Sequence, residues 1–297
     1  MQRYRFKKID AFVSGQSSGN PAGCVYLKDI SALSPAGMQQ IARELAGCVS
    51  EVVFIYPDEG VTSLRFFSSE REVAFCGHGT IAAMYDLIVR DPIRIMDPII
   101  PIRIGEREIL VRNEIKTSDA VFIGAPQPVV LPLSLSADTI AAALRIPPGE
   151  INGNISISLI DAGLRTLLVP IRSLPVLVGI RPDQQYLRDF CLAEHIDIIL
   201  VFTDEVASEK NRFRTRVFAP VFGYLEDPAT GSGNAALGYY LLDSGLWDGT
   251  LLTIEQGRNQ DRPNIVKLVS DASQKQRTVF FGGNAIVRIE GEYLFYS

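Results

Sequence analysis

Two short glycine-bracketed segments carry side chains suited to proton chemistry. His78 stands between glycines in Cys76-Gly77-His78-Gly79-Thr80, and Ser232 stands between glycines in Thr230-Gly231-Ser232-Gly233-Asn234. Each follows a strand-like run and precedes an Ala-containing apolar helix, expected over 80–89 and 234–242. The start of a helix presents backbone N–H groups that have no intrahelical acceptor, and the helix dipole adds partial positive charge, so small anions bind there. Glycine at such a turn allows close approach of a ligand and tolerates positive φ. Two such turns facing across a cleft would grip a carboxylate from both sides. For either turn alone, a tight turn with no ligand is the plainer reading.

Three further residues belong with these turns. Histidine ordinarily titrates near neutral pH, and a histidine flanked by glycines at a helix start is poorly placed for core packing. Asp227 precedes Pro228 just ahead of the second turn, although Asp-Pro is also an ordinary turn dipeptide. Glu51 follows Ser50 and leads into the apolar run Val52-Val53-Phe54-Ile55-Tyr56. A carboxyl entering a buried strand is partly desolvated, which raises its pKa toward the range useful for general acid/base work; a solvated strand edge is the alternative. Glu44 falls on the polar face of its helix and reads as surface, and His195, after Glu194, reads as a C-terminal helix cap.

The elements that must hold these residues are mostly short β-rich runs, at 5–12, 22–27, 51–56, 62–67, 102–104, 108–111, 120–123, 155–160, 166–169, 198–202, 212–218, 251–256, 264–268, 278–281 and 285–289. Helices are fewer. Over 35–46 the apolar residues Met38, Ile41, Ala42 and Leu45 share one helical face, with Ser34 as N-cap, Pro35 in the first turn and Gly47 past the end. Segments 137–144 and 182–194 also read as helices. Many strands with a few helices indicate an α+β fold, not regular βαβ units.

The halves of the chain read as repeats of one another, with coincidence between two short glycine turns as the alternative. Arg65-Phe66-Phe67 matches Arg216-Val217-Phe218, and Glu72 followed by the first glycine turn matches Glu226 followed by the second. Two lobes of like fold follow, one expected over 1–116 plus 285–297 and the other over 117–284.

Composition narrows the function. The chain has 297 residues, enough to bury a large core without staples. Its net charge of -5, without a basic stripe interleaved with aromatics, gives no support to nucleic-acid binding. The longest uncharged stretch, 120–137, contains Pro126, Pro128 and Pro132 and cannot form an uninterrupted membrane helix; no membrane partner is expected. The N-terminal residues lack the apolar core of a secretory signal. The four cysteines form no C-x-x-C pair and suggest no disulfide framework, so the cytoplasm is the default location. With two histidines and no metal-binding motif, no metal site is expected, although counting residues leaves open a carboxylate-only site for a hard cation.

These residues carry a family resemblance over essentially the whole chain. Asp10-Ala11-Phe12, Gly19-Asn20-Pro21-Ala22-Gly23, Met38-Gln39-Gln40-Ile41-Ala42-Arg43-Glu44, Ser50-Glu51-Val52-Val53-Phe54, Cys76-Gly77-His78-Gly79-Thr80, Glu226-Asp227-Pro228-Ala229-Thr230-Gly231-Ser232-Gly233 and Gln256-Gly257 with Arg262-Pro263 stand in the order and spacing of the PhzF (phenazine biosynthesis-like) proteins, including the YddE-like members. The chain resembles that family, with departures at Gly79, where the family commonly has alanine, and at Ser68-Ser69, where it often has Thr-Pro. The resemblance implies a diaminopimelate-epimerase-like fold of two similar domains, each a β-barrel-like sheet around a central helix, with the final segment returning to the N-terminal domain. It also implies a homodimer that needs no cofactor. Glu51 would be the general acid/base, and His78, Asp227 and Ser232 would assist proton movement and orient the substrate. Asn20, Gly77, His78, Gly79, Gly231, Ser232 and Gly233 would contact that substrate, a small carboxylate-bearing molecule.

The same fold hosts racemases that use one thiol on each turn. Here Cys76 holds the first position but its repeat mate is Thr230, a hydroxyl too weakly acidic for that exchange. Cys76 then reads as a small buried packing residue. One-base chemistry is left: an isomerase in which Glu51 moves a proton between two positions of its substrate. The alternative is a noncatalytic small-acid-binding or interaction protein that keeps the fold.

Overall fold

The computed structural model describes residues 1–271 and 277–296; positions 272–276 and 297 of the expected lobes lie outside them. The chain divides into two compact units, residues 1–123 with 282–297, and residues 124–281.

The first unit runs β1 (Gln2–Ala11), β2 (Asn20–Tyr26), α1 (Pro35–Glu44), β3 (Glu51–Asp58), β4 (Val61–Ser68), β5 (Glu72–Val73), α2 (Gly77–Val89), β6 (Ile99–Ile104), β7 (Arg107–Asn113), α3 (Ile115–Ser118) and β8 (Val121–Gly124). Strands β1 and β2 are antiparallel, β2 and β3 parallel, β3 and β4 antiparallel. The ladder continues through the parallel pair β4–β6 to the antiparallel pair β6–β7, while the short β5 lies against β4. Helix α1 forms where its signals place it. The Ser34 hydroxyl oxygen accepts a 3.1 Å hydrogen bond from the Gly37 N–H, and Gly47 lies past the end at φ +82°. Its Met38, Ile41 and Ala42 pack with Val52, Phe54 and Phe67.

Helix α2 is the axis of this unit. It is apolar nearly all round, as a helix buried on every side must be; residues 79–84 and Ile88 are buried, and it packs against β1, β2 and β3. Its buried acid, Asp86, receives hydrogen bonds from Lys7, Tyr26 and Arg90. Removing one partner of such a buried ion pair costs about 3–5 kcal/mol.

The second unit runs β9 (Val129–Leu131), α4 (Ala137–Leu144), β10 (Ser158–Asp161), β11 (Arg165–Pro170), α5 (Leu174–Gly179), α6 (Gln184–Ala193), β12 (Ile198–Thr203), β13 (Phe213–Phe218), β14 (Glu226–Asp227), α7 (Gly231–Asp243), β15 (Leu252–Gln256), β16 (Asn264–Asp271) and β17 (Thr278–Gly283). Its ladder repeats that of the first unit. β10–β11 are antiparallel, β11–β12 parallel, β12–β13 antiparallel, β13–β15 parallel and β15–β16 antiparallel, with the short β14 against β13. Helix α7 occupies the place of α2, buried at ten of its residues and packed against β10, β11, β12 and β16. The last strand, β18 (Ala285–Phe295), pairs antiparallel with β1 in the first unit.

The α+β fold expected from the sequence is therefore the one observed. Its local details differ at several element ends, β18 running on to Phe295 where the pattern stops at 289. Helices α2 and α7 begin three residues earlier than the apolar pattern indicates, because the glycine segments form their first turns and Cys76 and Thr230 are the N-caps. The pieces β5, β9, β14, α3 and α5 are too short to show a periodicity of their own. Among the described residues, no helix is long and apolar enough to cross a membrane.

Candidate functional site

Strand pairing sets the first part of the site. The parallel β2–β3 register places Ala22 opposite Glu51. Side chains alternate along a strand, so Asn20, Ala22, Glu51 and Val53 share one face. Helix α2 lies against that face: a Cβ on Gly79 would sit 2.8 Å from Val53 Cγ2 and 3.0 Å from Cys76 Sγ. The close approach brings His78 Nε2 to 3.3 Å from Glu51 Oε2, with the two side chains only 12% and 17% exposed. The separation is that of an ion pair, yet its direction is not that of a hydrogen bond, and Oε2 receives no directed donor. Asn20, at the start of β2, is fully buried.

Burial decides how Glu51 titrates. Loss of solvent penalises the charged carboxylate and pushes its pKa up to about 7. A carboxyl in that range can both take and return a proton near neutral pH. The solvated-edge reading of Glu51 is overturned: the strand begins at this residue, and the first turn of α2 covers it.

Cys76 is buried, as expected of a packing residue, and its sulfur also faces the imidazole. Its Sγ lies 3.6 Å from His78 Nδ1 and 3.9 Å from Nε2. Among the described residues, Glu51, Cys76 and His78 each bring one potential ligand atom within 4.8 Å of the others. Spacing in the sequence does not reveal this meeting, because Glu51 is far from the turn along the chain.

The glycines do not serve as positive-φ positions. None of Gly77, Gly79, Gly231 and Gly233 is among the residues with positive φ. Close packing calls for glycine at three of them, Gly79, Gly231 and Gly233. A Cβ on Gly231 would collide with the Phe281 ring, and one on Gly233 would lie 3.0 Å from Ile198 Cδ1. The first turns are plain right-handed helix pressed onto a sheet.

The second unit holds Asp227 and Ser232. Asp227 is the last residue of β14, pairs with Val217 and is 8% exposed, so it is no surface turn residue. The Thr230 hydroxyl donates to its carboxylate. Gln256, fully buried at the end of β15, braces this corner: its Nε2 donates to Asp227 O at 3.0 Å and to Thr230 Oγ1 at 3.1 Å. Its Oε1 accepts from Thr230 N at 2.9 Å and from Asn234 Nδ2 at 2.6 Å. Ser232 is half-buried in the first turn of α7. Sequence reasoning assigned no role to Gln256 or Asn234; only the Gln256-Gly257 motif drew attention to the former.

A family model described as phenazine biosynthesis-like protein, PhzC-PhzF, matches residues 9–291. The chain belongs to this family. It is 28% identical over 302 residues to an uncharacterized isomerase of Clostridium acetobutylicum, covering 98% of each chain. It is also 28% identical over 281 residues to the trans-2,3-dihydro-3-hydroxyanthranilate isomerase of Pseudomonas fluorescens, covering 94% of this chain and 95% of that one. Among solved structures, the Bacillus anthracis phenazine biosynthesis protein of the PhzF family superposes with a TM-score of 0.86 at 23% identity, over 99% of this chain and 100% of the other. That likeness establishes the shared fold.

Proposed function

We propose that this protein is a cofactor-independent isomerase that shifts a proton within a small carboxylate-bearing metabolite, with Glu51 as the general acid/base. The observation that carries the reading is the placement of one buried carboxyl against an imidazole at the N-terminal turn of a buried helix. Ionised Glu51 takes a proton from an activated carbon of the substrate. The electron pair left behind enters the adjacent conjugated system, and Glu51 returns the proton at another carbon. Atoms and charge balance without an external oxidant or reductant. His78, 3.3 Å from the carboxyl, helps steer the proton, and the N–H groups of the α2 first turn stabilise the anion that develops. Asn20, Gly77 and Gly79 contribute to the substrate-facing surface of the first unit. Asp227, Ser232, Gly231 and Gly233 are the supporting groups of the second.

One-base chemistry is favoured over two-thiol exchange because Cys76 and Thr230 occupy matching N-cap positions of α2 and α7. The homodimer implied by the family resemblance belongs with this reading, and sedimentation tests it.

The first substrate to try is the dihydro-hydroxyanthranilate named for the Pseudomonas fluorescens relative, followed by other small unsaturated acids. Turnover in deuterated water should place solvent label in the product, or labelled substrate should show internal transfer. Glu51→Gln should lower kcat by about 10²–10⁴-fold, the usual contribution of a positioned acid/base. A variant that keeps full activity on an identified substrate removes Glu51 from the mechanism.

A further inference from the structure

The cluster around Glu51 combines three ligand chemistries that a proton shift does not require. A carboxylate oxygen, a thiol sulfur and an imidazole nitrogen converge from β3 and the start of α2, each pair within 4.8 Å. With Nε2 as the nitrogen ligand, the separations are 3.3 Å to Glu51 Oε2 and 3.9 Å to Cys76 Sγ. A tetrahedral zinc with bonds of about 2.0–2.2 Å to nitrogen and oxygen and about 2.3 Å to sulfur spaces its ligand atoms about 3.4–3.6 Å apart. The residues therefore stand close to the distances of a coordination shell. Sγ lies 3.6 and 3.9 Å from the two ring nitrogens, so a turn of the imidazole with small shifts of the Glu51 and Cys76 side chains completes the shell.

We propose that Glu51, Cys76 and His78 form a three-ligand site for Zn²⁺ or a similar thiophilic divalent cation, and that its occupancy shuts off proton transfer. Three features support the site. The thiolate selects zinc-like ions over Mg²⁺ and Ca²⁺, which prefer all-oxygen shells. Glu51 Oε2 is buried and receives no directed hydrogen bond, so one acceptor position is available to an ion. Glu51 and His78 project from a strand and a buried helix, elements that hold ligands more firmly than loops do, and Cys76 is the N-cap of that helix. Two anionic ligands also balance the charge of the ion beside the positive end of the α2 dipole.

The consequence rests on the acid/base reading of Glu51: a carboxylate bound to a divalent cation shares its negative charge with the ion and becomes a much weaker base, and the ion stands where the substrate's proton would arrive. The ion is an inhibitor in this scheme, not a participant in the reaction.

Cobalt replaces zinc as a visible probe. Titrating the full-length, chelator-treated protein with Co²⁺ should give a thiolate-to-cobalt charge-transfer band in the near ultraviolet that saturates at one equivalent and is abolished by Zn²⁺. Cys48→Ser, which removes the exposed thiol, should keep the band; Cys76→Ser should lose it. Glu51→Gln and His78→Gln should each weaken Zn²⁺ binding by at least about 10-fold, the lower end of the loss seen when a ligand's support is removed. In wild type alone, Zn²⁺ should slow alkylation of Cys76, followed by mass spectrometry, and leave Cys48 unaffected. This last measurement stands even if a variant fails to fold.

No cobalt–thiolate band, or a band that survives Cys76→Ser, overturns the ion site. It leaves the acid/base role intact, since that role is tested by Glu51→Gln turnover without metal. Zn²⁺ held by all three residues with turnover unchanged would establish the ion site and sink the proton-transfer role of Glu51. Inhibition that tracks occupancy and is reversed by chelation upholds both.

Discussion

The two units build one ladder twice and fill it differently. In each, two antiparallel strands lead through a parallel pair to an Arg-x-Phe strand, a short returning strand and a buried helix. In each, the arginine of that strand forms a two-pronged pair with a glutamate of the short strand: Arg65 with Glu72 at 2.7 and 2.8 Å, Arg216 with Glu226 at 2.8 and 2.8 Å. Register extends the match to the site. Val52 pairs with Phe67 and Ile199 with Phe218, so Ile198 stands where Glu51 stands. At the three decisive positions the first unit has Glu51, Cys76 and His78, and the second has Ile198, Thr230 and Ser232. The shared ladder supplies two helix starts. Among the described residues, a carboxylate, a thiol and an imidazole meet at the first of them, while at the other Gln256 ties Asp227 to Thr230. A duplicated scaffold thus carries an asymmetric set of side chains, and the one-base chemistry proposed above builds on that asymmetry.

The arginine pairs test how deep that likeness runs, and their contrast should be the largest. Arg216 is 1% exposed at its side chain and also donates to the Leu177 and Ile180 carbonyls, whereas Arg65 is 20% exposed and faces the 45% exposed Glu72. Arg216→Ala should therefore cost about 3–5 kcal/mol, because it strands buried acceptors. Arg65→Ala should cost no more than about 1 kcal/mol. Denaturant melts of both variants check this, and equal losses would show that the two pairs are equivalent after all.

Next is the pH dependence that Glu51 alone should confer. Its folded pKa of about 7 lies above that of an unfolded glutamate. The unfolded chain therefore releases this proton first, and the folded state loses stability as pH rises toward and through 7. The loss is on the order of 3 kcal/mol once both states are ionised. Glu51→Gln should melt like wild type at pH 4 and gain over it above pH 7, measured in EDTA. A difference that does not vary with pH would place Glu51 in solvent and remove the asymmetry between the units.

The smallest contrast concerns the glycines. Gly231→Ala drives a methyl group into the Phe281 ring, while Gly79→Ala meets the tip of Val53 at 2.8 Å. The first should lower stability by about 1–3 kcal/mol, and the second by less, since a valine can shift more easily than a ring packed on a strand. Thermal melts that rank them in the opposite order would mean the α2 turn is the tighter of the two.

Much of this architecture was legible because it is written locally. Ser34, Pro35 and Gly47 mark the ends of α1, and the Arg-x-Phe and glycine segments announce the repeat. Glu51 could be singled out by its position ahead of an apolar run, yet neither its burial nor its neighbours could be read there. The glycines mark the right positions, but not by positive φ: a turn with positive φ and a helix pressed against a sheet leave the same letters in a sequence.

The amino-acid order by itself determined the α+β class, the duplication, the apolar helices and the small set of ionisable residues, since helix caps, periodicity and repeats depend on neighbours a few positions apart. Only the tertiary structure decided that Glu51 is buried against His78 and Cys76, and that Asp227 is tied to Thr230 and Gln256. Those outcomes depend on the parallel β2–β3 register, the seating of α2 and the closure of β15 beside β13. These contacts join residues distant along the chain, and it is burial through such contacts that gives the Glu51 carboxyl its proton affinity.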